Sequence, residues 1–205
     1  MSANLAFVFP GQGSQALGML AEQGAEHALI IETFAEASAA LGYDLWELTQ
    51  QGPQEQLNQT DKTQPAILAA SIALWRLWLA EVSVRPAFVA GHSLGEYSAL
   101  VAAGSLGFAD ALKLVERRGQ LMQQAVPAGQ GAMAAILGLE DAQVLAACAE
   151  AAQGEVVSAV NFNAPGQVVI AGGAAAVERA IAAGIVAALC VGVFMLVDAT
   201  KAAIA

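Results

Sequence analysis

The segment Gly91-His92-Ser93-Leu94-Gly95 constrains the fold of this chain more than any other. An apolar run, Ala87-Phe88-Val89-Ala90, leads into it, and a helical pattern from Glu96 to Ala103 leads out. In that strand–turn–helix setting a G-x-S-x-G pentapeptide reads as a nucleophile elbow, a turn sharp enough to lift a serine clear of the sheet. Such a turn presses backbone against backbone, so the flanking positions must lack a Cβ. The helix that follows aims its free N–H groups and positive dipole end at the same point. An ordinary strand–loop–helix with a surface serine would carry the same five letters, so the pattern needs support from elsewhere in the chain.

Composition narrows the setting. The 205 residues are 57% hydrophobic and only 13% charged, which suits helices packed closely on a largely buried sheet, in one domain or two small ones. A net charge of −10 with eight basic side chains argues against a nucleic-acid partner, because phosphate neutralisation needs clustered Lys and Arg. Cys148 and Cys190 are too few and too far apart for a disulfide framework or a metal site, and are expected to be reduced, buried thiols in a cytoplasmic protein. The start, MSANLAFVFPGQG, lacks the basic opening and the length of a signal peptide. From Ala180 to Val197 eighteen residues pass without a charge, a borderline length for a membrane span. Two glycines and the absence of aromatic anchors favour an Ala/Gly helix followed by a buried strand over Leu189–Val197, and no membrane partner is expected.

The element order reads as α/β. Leu5–Phe9 is a short strand stopped by Pro10-Gly11, and residues 15–41 read as helix with an irregular apolar face. Leu45–Thr49 and Gln51-Gly52-Pro53 read as a loop-rich link. Gln64-Pro65 opens a helix over Ala66–Leu79, with Pro65 in its first turn. The elbow follows, then a helix over Phe108–Gln124. Beyond Val126–Gly129 the expected order is a strand (Gly131–Leu137), a helix (Asp141–Ala152), two strands (Val156–Phe162 and Gln167–Ala171) joined by Asn163-Ala164-Pro165-Gly166, a helix (Gly173–Ala183) and a last strand. That β-α-β-β-α-β order is the ferredoxin-like split unit. The expected organisation is an elbow-bearing α/β-hydrolase-like part over 1–126, a ferredoxin-like part over 127–198, and a hydrophobic tail over 184–205.

Further motifs surround the elbow. Phe9-Pro10-Gly11-Gln12-Gly13-Ser14-Gln15 follows the first strand, Thr60 and Thr63-Gln64-Pro65-Ala66 open the long helix, and Glu116-Arg117-Arg118-Gly119 lies on the helix after the elbow helix. With Gly91–Glu96 and Asn161-Phe162-Asn163-Ala164-Pro165-Gly166-Gln167, they resemble, over residues 4 to about 180, the malonyl-CoA:acyl carrier protein transacylases of bacterial fatty-acid synthesis. The resemblance implies malonyl-CoA and acyl carrier protein as partners, with the CoA thioester and phosphopantetheine as substrates and no cofactor or metal. It implies Ser93 as the acylated nucleophile, the backbone N–H groups of Gln12 and Leu94 as the oxyanion hole, and Arg118 as the partner of the malonyl carboxylate. A guanidinium fork matches a carboxylate bidentately where a lysine cannot, which gives the Arg118 role its own physical case. Gln64 and Asn161 are pocket candidates, with core-satisfying amides an equal alternative. Met122, one helical turn beyond Arg118, would pack beside the substrate or serve as core. For docking an acidic carrier protein, Arg117, Lys113 and Arg76 are the basic candidates.

The chain also departs from the pattern it resembles. Those transacylases use a histidine as the serine's base, carried after the ferredoxin-like part, and a later glutamine that orients it. This sequence has only His27 and His92, and neither matches that position. His92 is expected to turn away from Ser93 and to serve packing or hydrogen bonding, and His27 to face solvent. From about Gly184 the resemblance ends, which reads as a truncated or frame-shifted copy, or as a divergent tail that still supplies the last strand. Three functions follow: a malonyl transferase severely impaired by the missing base, an inactive binding remnant, and a serine hydrolase or thioesterase, for which Arg118 has no use.

Overall fold

Strand β1 (Ala6–Phe9) runs four residues before Pro10 ends it, and pairs in parallel with β2 (Phe88–Gly91), Ala6 opposite Phe88 and Phe9 opposite Gly91. The computed structural model describes residues 5–125, 129–187 and 194–196, and its chain divides into two units, Met1–Gln124 and Ala125–Ala205. Alternation along β1 and β2 sends Phe7 and Phe9 to one side, where Phe7 meets Trp75 and Trp78 edge-on at 5.3 and 5.0 Å. The other side carries Ala6, Val8, Phe88 and Ala90, all exposed, Val8 at 76% and Phe88 at 69%. A groove of about 350 Å³ adjoins it, lined by Phe7, Val8, Phe9, Leu74 and Trp75 among others.

The helices of this unit follow their apolar spacing. After α1 (Ala21–Glu26), α2 (Ala28–Leu41) buries Ile30, Thr33, Phe34 and Ala37, the i, i+3, i+4, i+7 stripe. The expected single helix over 15–41 is thus two. Leu20 sits at φ 62° before α1, and His27 is extended between the helices, which accounts for the irregular face. The link expected after Leu45 is also helical. Asp44 caps α3 (Leu45–Gln51) by accepting from the Glu47 N–H at 2.8 Å, and the short α4 (Gln54–Leu57) follows Pro53. The long helix α5 (Thr60–Glu81) begins six residues earlier than the sequence pattern indicates, so Pro65 lies inside it and not in its first turn. Polar Thr60–Thr63 hid that start, while packing holds it: Thr63 and Gln64 are fully buried. Helix α6 (Leu94–Ala102) leaves the elbow, and α7 (Phe108–Ala125) buries Phe108, Ala111, Leu112, Val115 and Gly119 along one face.

The second unit contains β3 (Gly131–Leu137), α8 (Asp141–Ala152), β4 (Val157–Ala164), β5 (Gln167–Gly173), α9 (Ala174–Ala187) and β6 (Phe194–Leu196). Its sheet has the order β4-β5-β3-β6 with antiparallel pairings. Glu140 and Gln143 form a reciprocal capping box at the start of α8. The β4–β5 turn is two residues, Pro165-Gly166, tighter than the four expected, because Asn163 and Ala164 continue the strand through a register irregularity. Its core joins Ile136, Val144, Val168, Ile170 and Val177 to Cys148, a buried free thiol whose burial pushes its pKa up. Of the strand expected over Leu189–Val197, Phe194–Leu196 pairs with β3, Met133 opposite Leu196; the rest of that tail and Cys190 lie outside the described residues. Among the described residues no helix is long and apolar enough to cross a membrane.

Candidate functional site

The elbow is built by two glycines and one strained residue. A Cβ on Gly91 would fall on the backbone of Gly95, and a Cβ on Gly95 would fall on the Phe9 carbonyl, so β1, β2 and the start of α6 close together only without side chains there. Ser93 caps α6 with φ 56° and ψ −112°, a conformation costing a non-glycine residue on the order of 1–3 kcal/mol. Its side chain is exposed while Leu94 and Gly95 behind it are buried. The serine is therefore held out by a turn that the packing of its neighbours enforces.

Donors gather around it. The Leu94 N–H, at the first position of α6, donates no hydrogen bond among the described residues, and neither does the Gln12 N–H on the loop after β1. The two segments lie close, for a Cβ on Gly11 would come within 3.3 Å of the His92 carbonyl oxygen. The Gln12 side chain reaches Thr60 Oγ1 at 3.5 Å. Two free N–H groups beside a raised hydroxyl are what stabilisation of a developing oxyanion requires.

Arg118, on α7, brings a charge to the same place. Its Nη2 donates to Ser93 Oγ at 3.0 Å and its Nη1 to Gln64 Oε1 at 2.9 Å. Gln64 is fully buried and passes the interaction on, its Nε2 lying 3.3 Å from Met122 Sδ. Gln64 is thus a buried amide whose oxygen meets the guanidinium and whose nitrogen meets the Met122 sulfur. Met122 is 47% exposed, so it is not a core methionine. Tyr97, one turn beyond Ser93 on α6, lies with its ring centroid 5.8 Å from the guanidinium carbon. Sequence reasoning missed Tyr97, although its i+4 spacing from the serine was visible.

The remaining candidates are placed as follows. Asn161 is half-buried on β4 of the second unit, opposite Val169. His92 is exposed and makes no side-chain hydrogen bond among the described residues, so the expected packing or hydrogen-bonding role has no partner. His27 is half-buried between α1 and α2, 4.0 Å from Glu26, less open to solvent than expected. The one hydrogen bond to Ser93 Oγ among the described residues comes from Arg118, not from a histidine. Arg76 pairs with Glu36 at 2.6 Å and lies over the Phe108 ring, while Arg117 and Lys113 are exposed. No group of three or more potential metal ligands occurs among the described residues.

Comparison with known proteins places this geometry in context. The family model described as "Acyl transferase domain" matches residues 6–193. The malonyl CoA-acyl carrier protein transacylase of Salmonella typhimurium is 67% identical over 178 residues, covering 87% of this chain and 58% of that protein. The crystal structure of a malonyl-CoA:acyl carrier protein transacylase from Xanthomonas oryzae superposes with a TM-score of 0.91 at 60% identity, covering 96% of this chain and 62% of that one. A malonyl-transacylase solved in complex with a type II PKS acyl-carrier protein gives a TM-score of 0.86 at 60% identity, covering 89% and 59%. The chain therefore spans about three fifths of the length of these relatives.

Proposed function

The chain belongs to the acyl transferase domain family, and from that premise we propose that it accepts a malonyl group from malonyl-CoA on Ser93 and passes it to the phosphopantetheine thiol of acyl carrier protein. The observation that carries this reading is the Arg118 fork, with one nitrogen on Ser93 Oγ and the other on buried Gln64. A hydrolase or thioesterase has no use for a cation held at its nucleophile, whereas a malonyl thioester brings a free carboxylate to meet it. An acetyl group would leave that half-buried Arg without an anion, so the same contact selects for malonyl.

In the proposed cycle Ser93 Oγ attacks the thioester carbonyl and the C–S bond breaks, releasing CoA and leaving a malonyl ester. The carrier thiol then attacks that ester, and Ser93 leaves with its proton restored. Gln12 and Leu94 N–H groups take the oxyanion in both steps. Met122 packs beside the acyl group next to Arg118, Asn161 is a further candidate for substrate contact, and Lys113 with Arg117, at i and i+4 on α7, meet the acidic carrier. The fold reading that accompanies this is an α/β-hydrolase-like part over 1–126 and a ferredoxin-like part over 127–198, supported by the elbow and by the β4-β5-β3-β6 order. Neither His27 nor His92 makes a hydrogen bond to Ser93 Oγ among the described residues, so we propose that these 205 residues by themselves acylate slowly and turn over poorly. Loss of a triad member leaves only the oxyanion hole and binding, a cost of several orders of magnitude.

Stopped-flow measurement of CoA release from malonyl-CoA, followed by a chase with holo acyl carrier protein, tests the proposal. Slow, stoichiometric CoA release and slow transfer to the carrier are expected. Release with no transfer supports a binding remnant, and steady release of free malonate supports a hydrolase.

A further inference from the structure

Arg118 ends a long, flexible side chain, so its position over Ser93 depends on where α7 lies against α5. Three contacts fix that approach, and all fall on one face of α7. Glu116 Oε1 receives Lys62 Nζ at 3.2 Å. Gly119 lies so close to α5 that a Cβ there would come within 2.5 Å of the Asp61 Cα. Gln123 Nε2 donates to Asp61 Oδ1 at 3.0 Å. Positions 116, 119 and 123 are i, i+3 and i+7, and together they seize residues 60–62, the opening turn of α5. Gln64, two residues beyond Lys62, receives Arg118, two residues beyond Glu116.

Lys62 is the knot of this contact. Its Nζ also lies 3.6 Å from Asp61 Oδ2 and 4.0 Å from the Tyr43 ring centroid, so one ammonium joins two carboxylates and an aromatic face. The Lys62, Glu116 and Asp61 side chains are only 18%, 20% and 16% exposed, which sets this cluster apart from a solvated surface pair. Without the ammonium, the Glu116 and Asp61 carboxylates would face each other across the seam and drive the helices apart.

We infer that Lys62 is a positioning residue for Arg118, its bridge between Glu116 and Asp61 holding α5 and α7 at the separation that puts the guanidinium on both Ser93 and Gln64. This rests on the reading of Arg118 as the carboxylate partner, and deepens it by assigning malonyl selectivity to a residue that touches neither substrate nor nucleophile. A clamp of this kind changes where the fork sits, so its loss lowers the preference for a carboxylate-bearing acyl group more than acylation as such.

The test compares wild type with Lys62→Met and Lys62→Arg. Rates of Ser93 acylation by malonyl-CoA and acetyl-CoA are read by intact-protein mass spectrometry, and the Arg118 side-chain NMR signals, assigned by their loss in Arg118→Lys, report the fork directly. In Lys62→Met the malonyl-to-acetyl ratio is expected to fall about tenfold, the scale of one charge-assisted hydrogen bond. The Arg118 Nη signals are expected to average together as guanidinium rotation is freed, and Lys62→Arg to restore both readouts. Equal losses with both donors, or unchanged Arg118 signals, would overturn the assignment. If wild type acylates with neither donor, the proposed function fails, while the NMR comparison still decides the clamp.

Discussion

Replacing Arg118 by lysine keeps the charge and removes the fork. The guanidinium now serves two acceptors at once, Ser93 Oγ at 3.0 Å and Gln64 Oε1 at 2.9 Å. An ammonium is a point donor on a flexible stem and cannot reproduce that planar pair. Ser93 is exposed and water replaces its lost partner, but Gln64 is fully buried and receives no other donor at Oε1 among the described residues. Leaving a buried acceptor bare costs about 1–3 kcal/mol. For a cooperative unit near this size, each kcal/mol lowers the melting temperature by roughly 4 °C, so a drop of about 4–12 °C is expected by calorimetry. The malonyl-over-acetyl preference in Ser93 acylation should fall together with it, by about tenfold for one charge-assisted contact. A variant that melts within about 1 °C of wild type and keeps its preference would refute the claim that the fork joins buried Gln64 to the site.

Three further expectations follow from particular contacts. Gly95→Ala must push its Cβ into the Phe9 carbonyl, so chemical denaturation should show a loss of at least about 1–3 kcal/mol, and a neutral result would contradict the close packing of the elbow. The Tyr43 hydroxyl is buried near the Glu116 carboxylate but outside hydrogen-bonding geometry, and burial, followed by the charges of Glu116 and Asp61, raises its pKa well above the ordinary 10.0. Above pH 10.0 the unfolded chain therefore loses this proton while the folded one keeps it, so stability falls as pH rises; Tyr43→Phe should flatten that fall in denaturation curves, and identical alkaline profiles would count against it. The face formed by Ala6, Val8, Phe88 and Ala90 should bind anilinonaphthalene sulfonate in the folded state, with Val8→Lys reducing the fluorescence and an unchanged signal placing the dye elsewhere.

Much of the site was legible in the sequence because its parts are local. The elbow is a five-residue device whose glycines are dictated by backbone contact, so Gly91, Ser93 and Gly95 announce themselves. The second unit was legible to within a residue or two in most of its elements, since alternation in β3 and the Glu140–Gln143 capping box are short-range signals. The errors fall where tertiary packing overrides local pattern. Residues 60–63 fall outside the helix expected over Ala66–Leu79, yet Thr63 and Gln64 are buried because Gly119 lets α7 close onto the start of α5. The break at His27 is a single extended residue, and the helix after Asp44 follows from side-chain capping, both too weakly marked in the sequence to locate. The bond between Arg118 and Gln64 spans 54 positions, and no spacing rule brings two such residues together.

The central claim, that Ser93 is the residue taking a malonyl group, is tested most directly by incubating the 205-residue chain with malonyl-CoA, quenching in acid, and mapping the adduct by peptide mass spectrometry. One malonyl ester on the peptide containing Ser93, slow to appear and absent from Ser93→Ala, is the expected result. No adduct after prolonged incubation, or an adduct that persists in Ser93→Ala, would contradict the account.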